Sequence, residues 1–189
     1  MNTLAIIGNG RTRVHAPHGD LSRDVWTMND HTMLWQKRTT AVFEMHHDLF
    51  DTTFYSDEYK DWVRQPHDFP IYMHETHPDI PASVKFPRDE IAKAYGGMIV
   101  KGSKPIENFY SSTFPYCLAM ALHLGYKNIE LFGVDLDKEE RASHRDSVFF
   151  WMGIMTAHGV RFTLPEDTPL MEETLYPLIP LLYINRKRT

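Results

Sequence analysis

Three features that often reveal the class of a protein are scarce in this sequence: cysteine, excess positive charge and long apolar runs. A single cysteine, Cys117, among 189 residues excludes an intramolecular disulfide and any zinc site built on several thiolates. The net charge of −5 argues against a sequence-independent nucleic-acid binder, because such proteins usually present a basic face. No stretch reaches the ~18 apolar residues of a membrane span, and the N-terminus lacks the pattern of a signal peptide. We therefore expect a cytoplasmic protein with neither a membrane span nor a nucleic-acid partner.

What is present is an ordinary globular composition. Hydrophobic residues make up 42% of the chain and charged residues 24%. A chain of this length buries roughly 70% of its unfolded surface, which is enough for one core. Because we find no internal repeat and no Gly/Ser linker, residues 1–189 are expected to form a single domain. Whether that domain forms a homo-oligomer stays open.

The order of apolar runs and turn signals predicts alternating strands and helices. Strands are expected at 4–7, 25–28, 40–45, 71–73, 128–135 and 160–164. Helices are expected at 57–64, 88–95, 114–124 and 147–157, and the third of these is apolar on almost every side, which predicts burial. Residues 74–87 hold three prolines and are expected to form an irregular loop, whereas 97–110 is ambiguous. The alternation predicts an α/β fold with a mainly parallel sheet.

Ligands of such sheets bind beyond the carboxyl ends of the strands, so the residues there are the candidate site. Gly8, Asn9 and Gly10 follow the first strand, and two glycines let a backbone approach a phosphate or a ribose closely. A dinucleotide fingerprint would place a third glycine at position 13, where this sequence has Arg13, so an NAD site is disfavoured. A mononucleotide or sugar-nucleotide loop fits the pattern, and so does a plain strand-to-loop turn.

Two further polar turns follow the same logic. Asn29 and Asp30 end the second strand, where an amide can bind a base or a sugar hydroxyl, or an Asx turn can cap the next helix. Ser111, Ser112 and Thr113 precede the apolar helix, where hydroxyls and backbone N–H groups can bind an anion or cap the helix. For each turn both interpretations remain open.

The segment after the strand predicted at 128–135 carries groups suited to proton transfer. Asp135 ends that strand, and His144 and Arg145 follow in a polar loop. Near neutral pH a histidine can take a proton from an acceptor hydroxyl, and an arginine can neutralise a leaving phosphate. A solvated charged loop has the same composition and is the alternative interpretation.

Eleven histidines raise the question of a metal site. His46 and His47 precede Asp48, and a second group of histidines and an aspartate lies at 74–79, but neither has the spacing of an HExxH site. Neighbours on a strand point to opposite faces, so His46 and His47 cannot easily share one ion. We expect neither a metal nor a cofactor.

Four segments, taken in order, resemble a known family. They are IIGNGRTR at the first strand, WTMNDH at the end of the second, the block SSTFPYCLAMALHLGYKNIELFGVDLD, and the histidine downstream of that block. In this order they resemble the bacterial sialyltransferases that decorate lipooligosaccharides, and small phage-encoded relatives of that Rossmann-like group. The most specific part is the stretch from the glycine after the helix to the aspartate after the strand, residues 125–135.

The resemblance implies a single Rossmann-like three-layer domain that binds a nucleotide-activated sugar and acts as a glycosyltransferase. In that family the GNG loop, the asparagine after the second strand and the hydroxyl turn hold the cytidine nucleotide donor. On this chain those residues are Asn9, Gly10, Asn29 and Ser111 to Thr113, and the expected binding set is completed by Gly8, Asp30, Gly133, Asp135 and Arg145. His144 is expected to be the general base that deprotonates the acceptor hydroxyl, for direct displacement at the anomeric carbon without a metal.

Two alternatives use the same core. The archaeal-type pterin diphosphokinase group shares it and uses ATP, so a Mg²⁺-dependent diphosphokinase or nucleotide hydrolase, with Asp135 and Asp137 as ligands, stays open. The other alternative is a non-catalytic phage protein that sequesters a nucleotide. It stays open because Arg11 and Thr12 stand where the family has proline and serine.

Overall fold

A seven-stranded parallel sheet organises the part of the chain that the computed structural model describes, which is residues 3–35, 37–51, 53–96, 100–105, 109–136 and 142–171. The strands are β1 (Thr3–Ile7), β2 (Asp24–Met28), β3 (Ala41–Phe43), β4 (Ile71–Met73), β5 (Ser83–Lys85), β6 (Val100–Lys101), β7 (Lys104–Pro105), β8 (Asn128–Phe132) and β9 (Arg161–Thr163). The helices are α1 (His31–Trp35), α2 (Asp57–Val63), α3 (Arg88–Tyr95), α4 (Thr113–His123) and α5 (Ala142–Ala157), with a 3₁₀ helix at Arg11–His15. Strands β6 and β7 form a separate antiparallel hairpin within the stretch that the sequence left ambiguous.

The order of strands creates a crevice next to β1. Across the sheet the order is β5-β4-β3-β2-β1-β8-β9, and all neighbouring pairs are parallel. The chain therefore builds outward from β1 to β5 on one side and later adds β8 and β9 on the other. The direction of winding reverses between β1 and β8, and in open α/β sheets ligands bind at such a point, outside the carboxyl ends of the strands.

Alternate residues of each strand serve two opposite faces of the sheet. Leu4 and Ile6 lie in the main core with residues of α4 and α5, whereas Ala5 and Ile7 lie in a separate cluster on the other face. That second face is also covered farther along by α2, which packs on β3 and β4. Side chains thus alternate between the two faces, as expected for a strand that is buried on both sides. The sheet and the elements that cover its two faces form three layers.

The apolar helix α4 is buried as its sequence predicts. Nine of its eleven residues are buried, Cys117 among them with no exposed surface. The helix packs against α5 and against β2 and β3, which fixes its N-terminus over the carboxyl edge of the sheet. None of the helices in the described ranges is long and apolar enough to cross a membrane.

The predicted α/β fold with a parallel sheet is confirmed, and three local expectations are corrected. Residues 74–87 are not wholly irregular, because they include β5, an edge strand that pairs only with β4 and so accommodates prolines on either side. The strand predicted to reach residue 135 ends at Phe132, because Gly133 adopts a φ of +64°. The last long helix begins at Ala142 rather than at 147, so His144 lies in its first turn and not in a loop.

Candidate functional site

A cavity of about 600 Å³ lies at the carboxyl edge of the sheet, beside the reversal in strand order. Its walls come from the segments after β1, β2, β3 and β8, from the N-terminus of α4 and from the first turn of α5. Nine residues of the predicted site line it: Gly8, Asn9, Asn29, Asp30, Ser111, Ser112, Thr113, Gly133 and His144. Segments far apart in the sequence therefore meet around one cavity.

Two glycines allow the ends of β1 and β8 to come together on this wall. A methyl group on Gly8 would overlap the carbonyl oxygen of Gly133, and one on Gly133 would overlap that of Gly8. Gly133 also has a φ of +64°, which other residues adopt only at a cost. The approach is fixed by a hydrogen bond of 2.7 Å from the Gly10 N–H to the Gly133 carbonyl oxygen.

Two side-chain contacts position Asn9 in the turn after β1. Its side-chain carbonyl oxygen lies 2.9 Å from Nδ1 of His31, and its amide nitrogen lies 3.4 Å from a carboxylate oxygen of Asp30. Burial, followed by the charges of His18 and Arg13, lowers the pKa of His31 to about 4, so its ring is neutral at pH 7. A neutral ring that donates from Nδ1 to Asn9 orients the asparagine amide.

Asn29 joins the second strand to α4. Its φ of +54° lies in the left-handed region, which asparagine tolerates better than most residues and which turns the chain sharply after β2. Its side-chain oxygen accepts a hydrogen bond of 3.4 Å from the Thr113 hydroxyl. Thr113, the first residue of α4, thus positions the Asn29 side chain. The alternative interpretation, an Asx turn, would have had Asn29 cap only the helix that follows it in the sequence.

The hydroxyl turn before α4 does not cap the helix through its side chains. Ser112 occupies the N-cap position, but its hydroxyl makes no capping bond, and within the described residues this buried oxygen has no hydrogen-bond partner. Ser111 instead pairs with Ser147 of α5 across 2.5 Å. Ser147 in turn donates to the carbonyl oxygen of His144, which links the turn to the predicted base. A buried polar atom without a partner beside a cavity is a feature of sites that bind a polar ligand.

Three residues of the predicted binding set do not line the cavity. The buried Asp135 carboxylate accepts hydrogen bonds from the N–H and the hydroxyl of Thr12, at 3.1 and 2.5 Å, and Gly10 packs against it. Arg145 points toward the backbone carbonyls at 169 and 170 instead of the cavity. Asp135 thus holds the loop after β1, so the magnesium alternative gains no support from it, and Asp137 lies outside the described residues.

The sequence reasoning missed one wall of the cavity, which is formed by His46, Phe54 and Tyr55. His46 follows a predicted strand and so stands at the expected edge of the sheet, but the only role that the sequence suggested for it was that of a metal ligand. Its ring Nδ1 lies 2.6 Å from the carboxylate of Glu44, which has no exposed surface, and 3.1 Å from the Tyr55 hydroxyl. A signal was available, because an acid inside the predicted strand at 40–45, two residues before a histidine, is unusual in a strand buried on both faces.

His47 belongs to a different cavity from its neighbour. Its ring stacks on that of His74 with centroids 4.0 Å apart, and both line a second cavity of about 440 Å³ that Arg88 also borders. His46 and His47 therefore face apart, as the sequence predicted. Among the described residues, no three His, Cys, Asp or Glu side chains are grouped so that they could hold a metal ion.

The electrostatics of the cavity are unusual for an anion site. Of the described residues that line it, none is lysine or arginine. Burial raises the pKa of Asp30 above its ordinary value. The hydrogen bond to Glu44 raises the pKa of His46, against an opposing effect of burial. His46 is thus the cavity group best placed to carry a positive charge.

Comparison with known proteins finds similarity in structure only. No protein-family model matches the chain, and no curated protein is similar to it in sequence. The sialyltransferase CstII from Campylobacter jejuni in complex with cytidine-5'-monophosphate matches with a TM-score of 0.52 and 16% identity, over 90% of this chain and 82% of that one. The complex of CstII with CMP-3FNeuAc gives 0.51 and 15%, over 87% and 80%. A CST-II complex with a trisaccharide acceptor and CMP gives 0.51 and 16%, over 86% and 80%. At this level of identity the similarity shows a shared fold.

Proposed function

We propose that this protein is a glycosyltransferase that takes its sugar from a nucleotide-activated donor, with a CMP-sugar as the first candidate. The observation that carries the proposal is the cavity itself. Segments singled out by resemblance to sialyltransferases, and separated by up to a hundred residues and more, line one cavity at the carboxyl edge of the sheet. The similarity in fold to CstII complexes with CMP, a CMP-sugar analogue and an acceptor supports the same conclusion.

The cavity offers suitable partners for each part of such a donor. Gly8 and Gly133 line the cavity, and neither has a side chain that would hold a ribose or a phosphate away from the backbone. Asn9 and Asn29 supply oriented amides for hydroxyls or base edges. The unpartnered hydroxyl of Ser112 supplies a further polar contact.

His144 is proposed to be the general base. It lines the cavity from the first turn of α5, where its ring can meet an acceptor that enters the cavity. The acceptor hydroxyl oxygen would attack the anomeric carbon while its proton passes to His144. The bond from that carbon to the phosphate oxygen breaks, and its electron pair leaves with the nucleotide. No step in this scheme requires a metal.

The first experiment measures binding, by thermal shift and calorimetry with CMP, CDP, UDP, GDP and ATP, each with and without Mg²⁺. A ligand at 100 times its Kd adds about 2.7 kcal/mol to the free energy of unfolding. Stabilisation by CMP without Mg²⁺ is expected. Stabilisation by ATP only with Mg²⁺, or by no nucleotide at all, would contradict the proposal.

Turnover is then measured with the CMP-sugar and a panel of glycan acceptors. His144→Ala is expected to lose ~10²–10⁴-fold in turnover, which is the usual contribution of general acid–base catalysis, with little change in CMP affinity. The matched control is His158→Ala, since His158 is exposed beyond the far end of α5. A His144→Ala variant that keeps the wild-type rate would refute the role of base. CMP binding without any turnover would favour the sequestering alternative instead.

A further inference from the structure

The charge of the donor poses a problem that the predicted site residues leave unsolved. When a nucleotide leaves a sugar, negative charge develops on its phosphate. Enzymes normally stabilise such charge with a cation or with preorganised hydrogen-bond donors. Arg145, the residue expected to do this, binds backbone carbonyls outside the cavity. Among the described residues that line the cavity, no other arginine or lysine takes its place.

Glu44 and His46 form a hydrogen-bonded carboxylate–histidine pair beside the cavity, which His46 lines. The Glu44 carboxylate has no exposed surface, and it accepts hydrogen bonds from the His46 backbone N–H at 3.1 Å and from the Tyr59 hydroxyl at 2.7 Å. Its third contact is the His46 ring, through Nδ1 at 2.6 Å. A buried carboxylate is costly without an opposite charge, so this environment favours the imidazolium form of His46.

The contacts with Glu44 also orient the His46 ring. Nδ1 is committed to Glu44, so Nε2 is the nitrogen that a ligand can use. The His46 ring packs against two aromatic rings: that of Phe54, stacked with centroids 6.2 Å apart, and that of Tyr55, edge-on with centroids 5.3 Å apart. About 39% of the His46 side chain remains exposed, and the residue lines the cavity. A histidine oriented by a buried carboxylate, with its other nitrogen open to a cavity, has the arrangement of a catalytic dyad.

We propose that His46, held as an imidazolium by Glu44, is the catalytic residue that binds the donor phosphate and stabilises it as it leaves. This inference rests on the glycosyl transfer proposed above. While the bond from the anomeric carbon to the phosphate oxygen breaks and its electron pair stays on that oxygen, the Nε2–H of His46 donates a hydrogen bond to the phosphate. The acceptor proton passes separately to His144. His144 thus takes up a proton, whereas His46 stabilises the negative charge on the phosphate. Glu44 is a positioning residue.

Groups from several segments set the charge of His46. The hydrogen bond to Glu44 raises its pKa, burial opposes that rise, and the charges of Glu44 and Asp48 add to it. Tyr55 faces the ring from the segment before α2, and Asp30 faces the same cavity from the end of β2. Phosphate binding is therefore expected to weaken as the pH rises through the raised pKa of His46.

The test compares CMP with cytidine, which lacks the phosphate, in calorimetric titrations of the wild type and three variants. His46→Gln is expected to weaken CMP binding roughly 10–100-fold, the value of a charge-assisted hydrogen bond, and to leave cytidine binding almost unchanged. His47→Gln is the matched control, because this neighbour lies in the other cavity, and it should change neither. Glu44→Gln keeps the shape and one acceptor oxygen, so it should move the pH dependence of CMP binding to lower pH.

A second measurement needs no variant and guards against a loss of folding in Glu44→Gln. The ring protons of His46 are followed by NMR while the pH is varied, with and without CMP. Bound phosphate stabilises the imidazolium, so CMP should raise the pKa of His46 further, and the absence of any shift would overturn the inference.

The outcomes separate the two proposals. If the wild type binds CMP and His46→Gln binds CMP equally well, or loses CMP and cytidine to the same extent, the role of His46 is refuted and the glycosyltransferase proposal stands. If the wild type binds no nucleotide, both proposals fall together.

Discussion

Replacement of Gly133 by alanine is expected to lower the free energy of unfolding by about 2–5 kcal/mol, the sum of two separate costs. The first is backbone strain, because φ at this position is +64° and left-handed geometry costs an alanine about 1–2 kcal/mol. The second is overlap of the new methyl group with the Gly8 carbonyl oxygen, for which overpacking typically costs about 1–3 kcal/mol.

Three other glycines separate these costs within the same protein. Gly8→Ala meets only the overlap, with the Gly133 carbonyl oxygen. Gly159→Ala meets only the strain, since φ there is +77° and no atom of the described residues would lie within 4 Å of the new methyl group. Gly153→Ala meets neither, because Gly153 lies in α5 and the described part of the chain leaves space for a methyl group there; the change should stabilise the helix by about 0.5–1 kcal/mol. All four variants restrict the unfolded chain in the same way, so the differences between them report the folded state.

The measurement is chemical denaturation of the four variants, with thermal melting as a check. At ~2–4 °C per kcal/mol, Gly133→Ala should melt about 4–20 °C below the wild type. Each variant includes one unfolded-state gain, so the loss of Gly133→Ala should exceed the summed losses of Gly8→Ala and Gly159→Ala by about one such gain, ~0.4–1 kcal/mol. If Gly133→Ala costs no more than Gly159→Ala, or if Gly8→Ala is harmless, the close approach of β1 and β8 described above is refuted.

Two further predictions concern buried polar groups around the same loops. Thr12→Val removes a hydroxyl that donates to Asp135 and accepts from the Gly133 N–H. The free energy of unfolding, measured by urea denaturation, should therefore fall by about 2–5 kcal/mol, whereas Thr12→Ser should lower it by under about 1 kcal/mol. Equal stability of the two variants would contradict this. His31 has a folded-state pKa of about 4 against an ordinary 6.5, so the unfolded state binds more protons between these values. The stability from its neutral ring is complete above about pH 6.5 and is lost as the pH falls toward 4, by about 3 kcal/mol. His31→Gln should flatten the pH dependence of unfolding across this interval, and an unchanged slope would refute the assignment.

Much of the fold could be predicted because the local signals agree with the tertiary structure. The apolar run at 4–7 stops at a glycine that the packing requires, and α4 is apolar on the sides that α5 and the sheet cover. The edge strand β5 was missed because its burial is slight and only one neighbour fixes it. An edge strand carries little of the apolar pattern on which sequence reasoning relies.

The candidate site was predictable to the extent that its parts stand at the ends of strands. Position along the chain places Asn9, Asn29 and Gly133 at one edge of the sheet, but it does not say where a side chain turns after the strand ends. Asp135 and Arg145 illustrate this limit, since long-range partners turn both away from the cavity. The Glu44–His46 pair was missed for the opposite reason, because a buried acid in a strand becomes meaningful only when its partner is seen.

The place of β1 in the sheet also has a consequence for how the molecule forms during synthesis. Strand β1 is made before β2 to β5, which can join it one after another, yet its other edge waits for β8, whose Asn128 pairs with Thr3. Until β8 has been made, the nascent sheet presents an unpaired and largely apolar strand edge, which is the kind of surface on which unfinished chains associate. The cavity is also lined by Gly133 and Val134, which follow β8, so the residues of the site are complete only late in synthesis.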